Sequence, residues 1–222
     1  MNITDRVDQV VATFQRGRNL GEQGLPLDEL ISKLNETEAR YRSVAFEGAS
    51  MATVIDRKEE WQSFLERAEK HATQIHIGLG WAIAELELDL PSTLSEIVPE
   101  MQVKVLDGYG YWNGLFRRRL TIRTQQIPKE ITSEHQAGFD QGVGRAIWYI
   151  AKGNIEKASN IINHFSEDRK SNLWRGIGVA STYVGGCSDE LILELKRVAG
   201  DFKSKFETGM AAAEESMQIA GI

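Results

Sequence analysis

A small-residue motif occurs seven times in this chain at a nearly fixed interval. Five copies end in alanine: Gly48-Ala49-Ser50-Met51-Ala52, Gly78-Leu79-Gly80-Trp81-Ala82, Gly142-Val143-Gly144-Arg145-Ala146, Gly176-Ile177-Gly178-Val179-Ala180 and Gly209-Met210-Ala211-Ala212-Ala213. Two end in glycine: Gly17-Arg18-Asn19-Leu20-Gly21 and Gly110-Tyr111-Trp112-Asn113-Gly114. The first glycines are spaced by 31, 30, 32, 32, 34 and 33 residues. A period near 33 predicts stacked helical hairpins. Positions i and i+4 share a face of a helix. Two small residues there open a groove, and a neighbouring helix can approach closer than the usual spacing of about 8–10 Å. Glycine inside a helix costs roughly 0.5–1 kcal/mol relative to alanine, which close packing offsets. The rival reading is a helix end or loop, and it weighs most at Gly108 and Gly110.

The expected fold is therefore all-α: about seven helical hairpins of 30–34 residues, in an α-solenoid or a closed α/α ring, forming one domain over 1–222. Residues 46–82 and 139–180 share an order of motifs that reads as an internal duplication. The chain runs in alternating motif and partner helices. Leu27 to Leu34 is amphipathic, and Trp61, Phe64, Leu65 and Ala68 form the apolar face of a second partner. Ser92 is placed as the N-cap of a helix ending near Leu106. Asp107 to Arg119 then reads as the least regular segment. Lys152 to Ala158 resembles the turn and second-helix start of a tetratricopeptide repeat, without the rest of that signature.

Composition narrows the function classes. A net charge of -6 argues against nucleic acid or an anionic bilayer as the main partner. One cysteine, Cys187, makes no internal disulfide, which fits a reducing, cytoplasmic compartment. Met1 to Arg6 lacks the apolar core of a signal peptide, and no apolar run is long enough to span a bilayer. His71, His76, His135 and His164 lack metal-ligand spacing, so no metal or other cofactor is expected. No Gly-x-Gly-x-x-Gly follows a strand and no Walker lysine is present.

Several ordered motifs carry a family resemblance: Phe46-Glu47-Gly48, His76-Ile77-Gly78-Leu79-Gly80-Trp81, Asp107-Gly108-Tyr109-Gly110-Tyr111, Phe139-Asp140-Gln141-Gly142-Val143-Gly144-Arg145 and Leu173-Trp174-Arg175-Gly176. Over about residues 5–220 the chain resembles a bacterial family of unknown function, some of whose members are encoded beside enediyne polyketide synthases. The resemblance implies a role in natural-product biosynthesis and brings no reaction with it. Similar members often carry His and Glu where this chain has Trp112 and Asn113, which puts any chemistry of that His in doubt here.

The polar residues beside the motif glycines form the candidate site. Glu47, His76, Asp107 and Asp140 are candidate acids and bases. Tyr109, Trp112, Arg145, Trp174, Arg175 and Trp81 are candidate binding residues, able to hold a flat or polyene ligand or stabilise charge. Equivalent positions of a repeat stack line one surface. The same carboxylates serve equally as helix caps and ion pairs, and the same aromatics as core. The cluster Arg117-Arg118-Arg119 with Arg123 reads as a solvated face or an anion or acidic-helix site. Cys187 has no identifiable base. Two classes follow: an accessory protein binding a protein partner or hydrophobic molecule in a concave face, with a homodimer left open, or a cyclase- or isomerase-type enzyme on a polyene-like substrate.

Overall fold

A computed structural model describes residues 2–222. The described residues form an all-α helical-repeat fold. Seven motif helices run in chain order: α1 (Ile3–Gly21), α3 (Arg42–Asp56), α5 (Ala72–Leu86), α7 (Pro99–Phe116), α8 (Gln136–Ile150), α10 (Glu167–Val184) and α12 (Lys203–Ala220). Shorter partner helices separate most of them: α2 (Leu27–Asn35), α4 (Trp61–Arg67), α6 (Leu90–Ser95), α9 (Ile155–Asn163) and α11 (Asp189–Ala199). After α7 the place of a partner is taken by a π-helical turn, Arg119–Arg123, and a loop.

Local chemistry sets the boundaries. Asn154 caps α9 by accepting from the Lys157 amide at 2.8 Å, and Ser188 caps α11 through Leu191 N at 3.3 Å. Asp89, not Ser92, caps α6: its carboxylate accepts from the Ser92 amide at 3.0 Å. Gly185 and Gly186 stop α10 with φ of 66° and 72°. Of the Asp107 to Arg119 segment, which reads as irregular, residues 107–116 lie inside α7 and the rest leads into the turn after it. Its glycines read as punctuation, but tertiary packing overrides local propensity there.

The chain divides into two compact units, one of residues 1–8 and 110–215, the other of residues 9–109 and 216–222. Each follows the same packing rule. A Cβ added to Gly80 on α5 would meet the Val105 carbonyl oxygen of α7, and one added to Gly108 would meet the Ile77 carbonyl in return. In the other unit Gly144 faces the Leu173 carbonyl, and Gly176 faces that of Gln141. Gly178 faces Phe206, and Gly209 faces Arg175. The residue opposed is always three positions before the partner's glycine. The motif is thus a Gly-x-Gly in which the first glycine touches the preceding motif helix and the second touches the following one. With about 100° per residue the two point some 200° apart, to opposite flanks.

In this register Gly17 and Gly110 stand in second positions. They face Ala45 and Phe139, three residues before Gly48 and Gly142. The i, i+4 groove is also present: Gly21 and Gly114 sit one turn on and meet Ala52 and Ala146. Ser50 replaces the second glycine of α3. Its hydroxyl donates to the Ile75 carbonyl at 2.6 Å, the residue three before Gly78, and accepts from the Trp61 indole at 2.9 Å.

Candidate functional site

The Gly-x-Gly register sorts every other residue of a motif helix onto one of two faces. The residue before the first glycine and the residue after the second lie about 40° apart on one face. In the unit of residues 9–109 this face carries Glu47, Met51, Ile77, Trp81 and Asp107. Phe14 and Arg18 occupy the same face of α1. The rings of Phe14 and Trp81 lie 4.6 Å apart, and Arg18 pairs with Glu85 at 3.0 Å. Helices α1 and α5 are next-nearest neighbours in the motif series, so their contact across α3 makes this the concave face of the unit. Glu47 is 3% and Asp107 1% exposed.

The equivalent face in the unit of residues 110–215 carries Tyr111, Gln141, Arg145, Arg175 and Val179. Arg145 is 3% exposed and its guanidinium lies 4.5 Å from the centre of the Tyr111 ring, a cation–π geometry. Tyr111 in turn packs against Tyr149 at 5.3 Å. Arg175 is half-buried.

The other face packs on the partner helices, and several candidate residues lie there. His76 precedes Gly78 by two positions. Its ring donates from Nδ1 to the Ala72 carbonyl at 2.7 Å and meets Trp61 edge-on at 5.4 Å. Burial pushes its pKa below the ordinary histidine value, and the Ala72 bond partly restores it. Asp140 has the same register on α8. Arg169 grips it, with Nε at 3.0 and 3.1 Å from the two carboxylate oxygens and Nη2 on Oδ1, and Gln136 donates at 3.3 Å. Burial raises the Asp140 pKa, and the Arg169 guanidinium pulls it back. Trp174, again two before its glycine, is 2% exposed. Tyr109 follows the first glycine and is also turned away from the Glu47–Asp107 face. Trp112 is half-buried, 5.4 Å from both Phe116 and the Arg117 guanidinium carbon.

Of the candidate residues, the structure therefore brings Glu47, Asp107 and Trp81 onto one face of one unit, and Arg145 with Arg175 onto the equivalent face of the other. It sets His76, Asp140, Tyr109 and Trp174 elsewhere. Sequence reading passed over Gln141, Met51, Arg18 and Glu85; the signal that finds them is the second glycine of each motif. It also passed over His71. That ring is buried, stacks on Phe46 at 4.0 Å, and shares a 2.9 Å hydrogen bond with Ser43 through Nδ1, while Nε2 has no partner. Burial, with Lys70 and Arg42 nearby, lowers its pKa to about 4. Among the described residues no group of three or more His, Cys, Asp and Glu could hold a metal ion, and no helix is long and apolar enough to cross a membrane.

Repeated backbone-to-backbone helix contacts, with charged and aromatic side chains buried on one face of the motif helices in each unit, define an all-α helical-repeat protein. The chain belongs to the family described as protein of unknown function DUF1702, whose family model matches residues 1–222. A comparison with curated proteins and one with solved structures found no match.

Proposed function

We propose that this is an accessory binding protein of bacterial natural-product biosynthesis, of the polyketide or enediyne-like kind, that holds a hydrophobic small molecule against the concave face of its motif helices. The observation that supports the binding reading is that two buried carboxylates, Glu47 and Asp107, and the buried Trp81 fall on one face of the motif helices. Aromatic rings hold a flat or extended apolar ligand, and a few convergent polar groups fix its orientation. The biosynthetic setting rests on the motif resemblance alone.

The second reading is an enzyme with cyclase- or isomerase-type acid/base chemistry on a polyene-like substrate. Two carboxylates on one face favour it, with Glu47 and Asp107 as the acid/base pair and Trp81 stabilising positive charge. His76 and Asp140 have no part in this version, since both lie on the other face.

Native mass spectrometry of the protein from its own host, followed by extraction, tests both. A retained small molecule that is lost in Glu47→Gln and Asp107→Asn, at unchanged melting temperature, supports the site. A product differing from the added ligand supports the enzyme. Retention unaffected by both variants, or variants that simply unfold, would sink the assignment.

A further inference from the structure

We propose that the turn after α7 is a docking surface for an acidic amphipathic helix of a partner protein. Residues 117–129 carry Arg117, Arg118, Arg119, Arg123 and Lys129 and no acidic residue, in a chain of net charge -6. Arg118, Arg119 and Arg123 are exposed, and none of the three forms an ion pair with Asp or Glu among the described residues. Three of the eight large apolar side chains exposed in the described residues fall in the same stretch: Phe116 at 62%, Leu120 at 45% and Ile127 at 36%. Exposed apolar residues scattered singly need no explanation, but apolar and unpaired cationic residues interleaved over twelve positions mark a binding surface.

The surface is held rigid. The π-helical turn Arg119–Arg123 closes with the Thr124 amide on the Arg119 carbonyl at 3.0 Å. Such turns recur at functional sites. Gln125 takes a left-handed φ of 54°, and both ends of its amide are tied: Nε2 donates to the His164 carbonyl at 2.5 Å, and Oε1 accepts from the Ser166 amide at 3.3 Å. Arg169, already paired with Asp140, donates from Nη1 to the Gln125 carbonyl at 2.9 Å. The turn is thus pinned to the start of α10 through one buried ion pair. A preorganised surface forgoes the ordering cost that weakens flexible binders.

Charge decides the occupant. A bilayer anionic enough to attract these arginines would repel the rest of an acidic chain, and three apolar side chains are a small anchor. An acidic helix offers carboxylates to the unpaired guanidinium groups and an apolar stripe to Phe116 and Leu120, which stand four residues apart.

The test uses a synthetic acidic helix with leucine at i, i+3, i+4 and i+7 and glutamate at flanking positions, titrated against the full chain by fluorescence anisotropy. Saturable binding that weakens on the order of tenfold at high salt, and again on the order of tenfold in R118E/R119E or in Leu120→Ser, supports the proposal. Binding equal to that of a peptide with the same composition but a scrambled stripe overturns it, as does no binding at all. Tighter association with phosphatidylserine vesicles than with the peptide assigns the surface to a membrane instead. A dimer in sedimentation analysis that R118E/R119E dissociates assigns it to a second copy of this chain. Both outcomes overturn the partner-helix assignment.

Discussion

Replacing Gly144 by alanine puts the organising contact of the fold to a direct test. A Cβ at this position would sit 2.1 Å from the Leu173 carbonyl oxygen, whereas ordinary contact begins at 3.4 Å. The obstacle is backbone, so no rotamer relieves it. Helices α8 and α10 must separate by about 1 Å, which forfeits a quarter to a half of the dispersion attraction along the contact. The reciprocal contact, Gly176 on the Gln141 carbonyl, loosens with it. Overpacking of this kind costs about 1–3 kcal/mol or more, and a backbone obstacle belongs at the upper end. Alanine returns up to about 1 kcal/mol of helix propensity. The net expectation is a loss of about 2 kcal/mol, or a fall of roughly 4–8 °C in melting temperature for a chain of this size. Differential scanning calorimetry with circular dichroism reads it. An unchanged or raised melting temperature would refute the claim that motif glycines are held by main-chain contact, because propensity alone predicts stabilisation.

Two further outcomes follow from the buried polar groups. His71 should make stability depend on pH: its folded pKa, near 4, lies about 2.5 units below the free value of 6.5. The fold refuses a proton that the unfolded chain accepts, so this contribution is complete above pH 6.5 and is lost as pH falls from 6.5 towards 4. The loss is about 3 kcal/mol. Urea midpoints at pH 7.5 and 4 should differ less in His71→Phe than in the parent, and equal differences would clear His71. Asp140→Asn should destabilise by about 3–5 kcal/mol by stranding the Arg169 guanidinium, whereas removing both partners together (Asp140→Leu with Arg169→Leu) should cost less than either single change. Urea unfolding of the three variants checks this, and additive losses would show that the two groups do not act as a pair.

The repeat was legible because glycine leaves a mark in sequence that tertiary structure must explain. The period of the first glycines located the motif helices other than α7, whose second half reads as irregular, and the partner helices α2 and α4 followed from apolar runs and α9 from the turn-like Lys152 to Ala158. The register within the motif was less visible. Gly17 and Gly110 look like first glycines by interval, and only the residues they touch place them second. That slip of two positions separates the two faces, so Glu47 and Asp107 could not be told from His76 and Asp140 by proximity to glycine. Asp107 to Asn113 misled for a different reason. Two glycines, an aspartate and an asparagine favour turns locally, and what opposes Gly108 and Gly110 is the Ile77 and the Phe139 carbonyl, each more than 25 residues away in the chain. Arg169 was invisible as the partner of Asp140, because nothing in local spacing links the two.

Where a carbon–carbon bond would point at a carbonyl, a glycine presents a hydrogen instead. Each reciprocal glycine pair therefore places Cα–H groups against the acceptor oxygens of the next helix, a weak contact worth about 0.5–1 kcal/mol. Spacing between neighbouring motif helices is then fixed by main chain, in the way that strand spacing is fixed in a sheet. Side chains do not set the frame. The positions before the first glycine and after the second can be exchanged, as Glu47, Ile77, Asp107, Gln141 and Arg175 already differ among themselves, while the helices keep their places. Such a scaffold can exchange the residues on that face without relearning how to fold.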